Sequence, residues 1–139
     1  MHELGAGFFL HDLGKVRVDA TIINKRGILT DDEMDQMRQH PEMGHQILIE
    51  TNQLTNECMK IVLQHHERFN GTGYPQKLKG EEIHLYGRIC SLADVFDALT
   101  SDRPYRQKLP TFRALKLMKE EMIDHFQREL FEQFVTLFG

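Results

Sequence analysis

Several things are scarce in this chain, and each scarcity removes a class of protein. There are two cysteines in 139 residues, Cys58 and Cys90, and they form no CxxC pair. Both stand among apolar neighbours, so they are expected to be reduced core thiols of a cytoplasmic protein and not a disulfide framework. No apolar run approaches the roughly 18–20 residues that span a bilayer, so no membrane span is expected. No basic region followed by an apolar stretch opens the chain, so no signal peptide is read there. Positive charge is not in excess: 17 Lys and Arg face 21 Asp and Glu, a net charge of −4. Wrapping a nucleic acid needs a basic face, so no nucleic-acid partner is expected, although a small basic pocket for a phosphate ligand remains open. Repeats, low-complexity tracts and the two-residue alternation of strands are also missing.

What remains is helical. With 40% apolar and 27% charged residues, the chain has the balance of one globular domain. Residues 3–12 read as a short helix ended by Gly14, and residues 16–27 as irregular apart from the apolar pair Ile22-Ile23. Thr30 and Glu33 fit a capping box that starts a helix over about 31–39. Pro41 suits the first turn of the next helix, about 41–51. Apolar Met59, Val62 and Leu63 predict a helix over 56–68. Asn70-Gly71-Thr72-Gly73 is turn chemistry. Leu85, Ile89, Leu92, Ala93 and Phe96 mark an apolar helix over 84–100. Thr111 can cap another to about Asp124, and Leu130, Phe131, Phe134, Val135 and Phe138 give a last amphipathic helix. The fold class is all-α, a helical bundle. The first helix begins so close to His11 that the domain, residues 1–139, is expected to lack its first helices.

The polar residues that stand out are metal-ligand types. His11-Asp12 lies at a helix end, His40 at a helix junction, and His65-His66-Glu67 before a glycine-rich turn that closes with Gly73-Tyr74-Pro75. Asp94 sits inside an apolar helix, where a bare carboxylate is costly and needs a partner or a metal. Gly14 is expected to let the backbone turn sharply and return Lys15 to the same pocket. On a helix, His65 and His66 point about 100° apart, which allows either one or both to reach an ion. Histidine with carboxylate suits zinc, iron, manganese or nickel. One ion seldom needs six such groups, whereas two ions sharing a carboxylate would use them, and paired ions recur in phosphoester cleavage.

Four stretches together carry a resemblance. They are His11-Asp12-Leu13-Gly14-Lys15; His40-Pro41-Glu42-Met43-Gly44; His65-His66-Glu67-Arg68-Phe69-Asn70-Gly71-Thr72-Gly73-Tyr74-Pro75; and the run from Ala93-Asp94 through Asp97 to Asp102-Arg103-Pro104-Tyr105-Arg106. In order and spacing, from about Gly7 to about Phe126, the chain resembles the HD-GYP domain, a subclass of the HD phosphohydrolases. The resemblance implies an all-helical, metal-dependent phosphodiesterase that hydrolyses cyclic di-GMP to pGpG or GMP, as the output domain of a bacterial signalling protein.

Carried over residue by residue, the resemblance makes Asp12 a carboxylate bridging two divalent metal ions, iron or manganese first, with zinc and nickel as alternatives. His11 and Asp94 would hold one ion; His40, His65 and His66 the other. Lys15 would contact the scissile phosphate. Asp97, Arg103, Arg106 and Tyr74 are candidate contacts to the cyclic dinucleotide, with Asp97 equally suited to capping a neighbouring amide. The Gly73-Tyr74-Pro75 loop is also a candidate contact for a signalling partner, and a homodimer is a candidate assembly. The family's further upstream histidine would fall before residue 1, and His2 and Glu3 are too close to His11 to replace it. The first metal site is thus expected to be short of ligands and the chain alone weakly active. Asn70 and Gln127 stand where the family commonly has aspartate. The alternative reading is a catalytically impaired relative that senses a cyclic dinucleotide or binds a partner. A helical di-iron oxygen protein ranks below both, because the repeated Glu-x-x-His pattern of such bundles is absent.

Overall fold

The computed structural model describes residues 2–52, 54–103 and 106–139. Pro104 and Tyr105 of the fourth motif lie outside the described residues. The architecture is all-α, as the pattern predicts. Among the described residues eight helices follow in order: α1 (His2–Leu10), α2 (Ala20–Ile23), α3 (Asp31–Met37), α4 (His40–Thr51), α5 (Asn56–Gln64), α6 (Leu85–Thr100), α7 (Thr111–Glu121) and α8 (Arg128–Thr136). Short 3-10 turns cover Leu13–Arg17, Gly80–Glu82 and Ile123–His125.

Four of the helix starts are written in side chains, whereas Thr111, expected to cap α7, is its first residue and the N-cap is Pro110, with no side-chain bond. Thr30 accepts from the Glu33 amide and Glu33 accepts from the Thr30 amide, the reciprocal capping box. Asp19 caps α2, Thr55 caps α5 and His84 caps α6 through the Tyr86 amide. α1 stops at Leu10, Gly14 sits inside the 3-10 turn that follows, and Lys15 returns to the pocket with its ammonium 3.1 Å from Asp12. The role of Gly14 is close approach. A Cβ on Gly14 would lie 1.7 Å from the His40 carbonyl oxygen and 2.5 Å from the Gly44 amide nitrogen. Only glycine lets the His11–Lys15 segment lie directly on α4.

Packing joins chain neighbours from α4 to α7 and brings the N-terminal segment back onto α4 and α5. α1 lies on α5, the Leu13–Arg17 turn on α4, α4 on α5, α5 on α6 and α6 on α7. α5 buries Cys58, Ile61 and Val62, and α6 buries Cys90 and Leu92. A second core joins α6 to the C-terminal helices through Leu92, Leu99, Ala114, Met118, Phe126 and Phe131. Phe96 meets the Phe134 ring edge-on at 5.2 Å. The phenylalanine stripe of α8 is therefore graded, with Phe131 buried, Phe134 packed at the margin and Phe138 exposed. Burying such apolar surface is the main favourable contribution to a domain of this kind. Among the described residues no helix is long and apolar enough to cross a membrane.

Candidate metal centre

The helix expected over 56–68 ends at Gln64. His65 is its C-cap, and His66 and Glu67 leave it in a tightened turn, in which the Glu67 amide donates to the Gln64 carbonyl at 2.9 Å. His65 and His66 are thus set by a helix end and not by the 100° step of a continuing helix. Beyond them the chain folds back on itself. The Tyr74 amide donates to the His66 carbonyl at 3.2 Å, and a Cβ on Gly73 would lie 2.4 Å from both that oxygen and the Arg68 amide nitrogen. Gly73 is therefore required for close approach, whereas Gly71 supplies the positive φ of the turn. The Asn70 side chain accepts from the Thr72 amide at 3.1 Å, so asparagine closes this turn as an aspartate would. The Tyr74–Pro75 bond is cis.

Six residues from four elements meet at the end of this turn. The Nδ1 of His40 lies 2.7 Å from the Met37 carbonyl and the Nδ1 of His65 lies 2.8 Å from the Val62 carbonyl. A carbonyl accepts only, so each Nδ1 carries the proton and each Nε2 offers a lone pair. Those two Nε2 atoms are 3.0 Å apart, and they stand 3.4 and 3.7 Å from Oδ1 of Asp12. Two buried imidazole nitrogens and the oxygen of a half-exposed carboxylate, all acceptors facing one point, repel one another unless a cation or proton sits among them. Ligands about 2.1 Å from one ion and at right angles lie about 3.0 Å apart, which is the spacing of the two nitrogens. With His66, one ligand atom from each of Asp12, His40, His65 and His66 falls within 4.8 Å of the others.

The other oxygen of Asp12 faces the other way. Oδ2 is 3.3 Å from His11 Nε2 and 3.1 Å from the Lys15 ammonium. His11 Nε2 is also 3.2 Å from Asp94 Oδ1, while its Nδ1 bonds the Phe8 carbonyl. One carboxylate therefore serves two groups of ligands, His40 and His65 on one side, His11 and Asp94 on the other.

The electrostatics follow from this crowding. Burial opposes charge on Asp12, yet the three imidazoles and Lys15 around it hold the carboxyl far below its usual range. Burial disfavours the charged form of His11 too, but Asp12, Asp94 and the Phe8 carbonyl override it and lift the imidazole to about 10. Burial depresses His65, and it pushes His66 down to about 2 with repulsion from His65 and His40. Burial also opposes charge on Asp94, but His11 holds it lowered. His65 and His66 as neutral imidazoles and Asp12 and Asp94 as carboxylates have the protonation states a metal takes, whereas His11 must give up its proton to bind one.

Two cavities open on this centre and share His66, Asp94 and Ala98. The first, about 400 Å³, is lined by His11, Asp12, Lys15, Asp97, Arg103 and Arg106. Asp97 faces this cavity and accepts from the Ser101 hydroxyl at 3.2 Å, not from an amide. Arg106 donates to the Ala98 carbonyl, and the Arg103 and Arg106 backbones bond each other. The second cavity, about 490 Å³, holds Tyr74. Tyr74, a candidate contact to the dinucleotide, stands across the centre from Lys15, Arg103 and Arg106, stacked on His66 with ring centroids 4.8 Å apart.

Sequence reasoning also left Glu67 without a role. Its buried carboxylate accepts from the Gln76 amide at 2.7 Å and the Leu78 amide at 2.9 Å, pinning the far arm of the loop behind the histidines. Burial raises its pKa despite those amides. Arg38 and Arg68 were not singled out either, and both line the second cavity. Gln127 is the N-cap of α8 and accepts from the Arg88 guanidinium.

Comparison with known proteins gives this centre its family. A model described as "HD domain" matches residues 2–130. The chain belongs to the HD-domain family. This HD domain is 40% identical, over all of its length, to a cyclic di-GMP phosphodiesterase of Pseudomonas aeruginosa, and covers 33% of that protein. It is 39% identical to a cyclic di-GMP phosphodiesterase of Thermotoga maritima, with 92% of this chain and 35% of the relative covered. It is 38% identical to a 3′3′-cGAMP-specific phosphodiesterase of Vibrio cholerae, with 88% and 26% covered. The HD domain thus spans about a third or less of the length of these relatives. Among solved structures, an HDG"Y"P protein from Bdellovibrio bacteriovorus superposes on 99% of this chain and 44% of its own at a TM-score of 0.78 and 21% identity, a likeness of fold.

Proposed function

We propose that this domain is a metal-dependent phosphodiesterase that opens a cyclic dinucleotide, cyclic di-GMP first among them, to the linear pGpG. The observation that carries the reading is the division of Asp12, with one oxygen toward His40 and His65 and the other toward His11 and Lys15. The names of the relatives, all cyclic-dinucleotide phosphodiesterases, support the substrate class. The two free, buried thiols fit a cytoplasmic setting.

The residues fit two divalent ions, iron or manganese before zinc or nickel. Asp12, His40, His65 and His66 would hold one, and Asp12, His11 and Asp94 the other. When bound, such a pair lowers the pKa of a water and neutralises phosphate oxygens. The chain's own residues do the rest. Asp12 keeps its charge and orients three imidazoles. The backbone carbonyls of Met37 and Val62 lock His40 and His65 with their Nε2 lone pairs turned inward. Lys15, on the open cavity side of Asp12, is placed to offset charge building on the phosphate. Arg103 and Arg106 line the same cavity and can hold the substrate's phosphodiester ring through charge-assisted bonds. In the reaction the water oxygen bonds phosphorus, the bond to the 3′ oxygen breaks, and that oxygen leaves with a proton.

A second reading has one observation behind it. The four-residue cluster forms on the His40 side of Asp12, while the His11 side offers fewer protein ligands. A relative that binds a cyclic dinucleotide and hydrolyses it poorly would keep the first cluster alone. Chromatography of cyclic di-GMP after incubation with the metal-loaded protein separates the two. Release of pGpG that stops on chelation and in Lys15→Ala supports the enzyme; bound but intact cyclic di-GMP supports the sensor.

A further inference from the structure

The second cavity has no part in the chemistry described above, yet it opens onto the same two residues, His66 and Asp94. Its composition differs from that of the phosphate-side cavity. Val95 and Leu99, one turn apart on α6, form an apolar wall with Met122 and Phe126. Tyr74 closes the side toward the metal centre, its ring held between His66 at 4.8 Å and the Arg38 guanidinium at 5.9 Å. Two cations, Arg38 and Arg68, also line this cavity, and both are exposed. Besides its place over the Tyr74 ring, Arg38 pairs with Asp35 in an exposed contact at 3.2 Å, and such pairs contribute little.

A cavity with aromatic and aliphatic lining suits a purine ring, and a volume of about 490 Å³ leaves room for one nucleoside. The two arginines decide which purine. Arginine only donates. Guanine presents two adjacent acceptors, O6 and N7, whereas adenine puts an amino donor beside N7. We propose that this second cavity is a purine-base site, and that Arg38 and Arg68 make it select guanine over adenine. The inference rests on the cyclic-dinucleotide reading and extends it. One phosphodiester sits at the metal centre, and one base of the same molecule reaches past His66 into the second cavity.

The test uses the metal-loaded chain and two probes, GMP and AMP. They carry the same phosphate, so any contribution from the metal centre cancels in the ratio of affinities. Calorimetry should show GMP bound more tightly than AMP, and Arg68→Gln and Arg38→Gln should each erase part of that preference. One good bidentate contact discriminates by about 1–3 kcal/mol, a ratio of roughly 5 to 150. Both arginines are exposed, and unchanged helical signal and metal content will show that the variants fold. Equal affinity for GMP and AMP in the unmodified chain overturns the proposal, as does a preference that survives both substitutions together. Turnover supplies a separate outcome. If GMP is preferred and the arginine variants lose the preference while cyclic di-GMP is never cleaved, the phosphodiesterase reading falls and the guanine site stands.

Discussion

Replacing Gly14 with alanine should disable the centre without touching a ligand. The new Cβ would lie 1.7 Å from the His40 carbonyl oxygen, against a floor of 3.0 Å for real Cβ contacts, so the segment must retreat by about 1.3 Å, the difference of the two. Neither side can yield cheaply, because the obstructing atoms are backbone in α4 and not the end of a flexible side chain. Overpacking of this kind costs typically about 1–3 kcal/mol. For a domain of this size that is a fall in Tm of roughly 3–12 °C. The functional loss should be larger than the thermal one. Asp12 moves with the segment while His40 stays with α4, and a metal site tolerates displacements of only about 0.2 Å. Metal content measured alongside thermal unfolding is the assay. Gly5→Ala is the control: nothing lies within 4 Å of its Cβ, in the interior of α1. Alanine there should hold or raise stability by up to about 1 kcal/mol. A Gly14→Ala protein with full metal content and unchanged Tm would refute the close-approach argument.

Asp12→Ala should lower metal content further than His11→Ala, since the carboxylate faces both ligand groups and the imidazole one; equal content in the two variants counts against a shared carboxylate. The metal-free protein should lose stability as pH rises. The His11 pKa is raised from 6.5 to about 10 on folding, so its contribution is complete below pH 6.5 and declines toward pH 10. Thermal melts across that window should show the slope, metal-loaded protein or His11→Ala should flatten it, and an identical slope in all three would remove His11 as its source. Glu67→Ala leaves the Gln76 and Leu78 amides without their acceptor. It should cost about 2 kcal/mol or more and speed hydrogen exchange at those two amides, and unchanged exchange would show that the loop is held by something else.

Local signals were legible where one short stretch carries the whole cause. The Thr30–Glu33 box is complete within four residues, and the helix starts where it says. The helix over 84–100 was readable from its apolar period, and the metal-type residues from their chemistry, which is why the centre could be anticipated from its ligands. Boundaries failed where distant groups decide them. Apolar spacing carried the fifth helix to Arg68, but it stops at Gln64, because Glu67 is drawn to amides nine and eleven residues downstream. Gly14 was singled out for a turn, yet what demands glycine there is His40, 26 positions on in the sequence. Arg38 carried no local signal at all: its place beside Tyr74 depends on how α3 lies against the loop, and nothing within a short window of sequence encodes that.

The most direct test of the central claim is anomalous diffraction from crystals of the manganese-loaded protein. The account predicts a strong peak among Asp12, His40, His65 and His66, and a second, weaker one on the His11 and Asp94 side of Asp12, about 3.5–4 Å away as paired catalytic ions are. No peak beside Asp12, or one held by His11 and Asp94 while the His40 side stays empty, would contradict it.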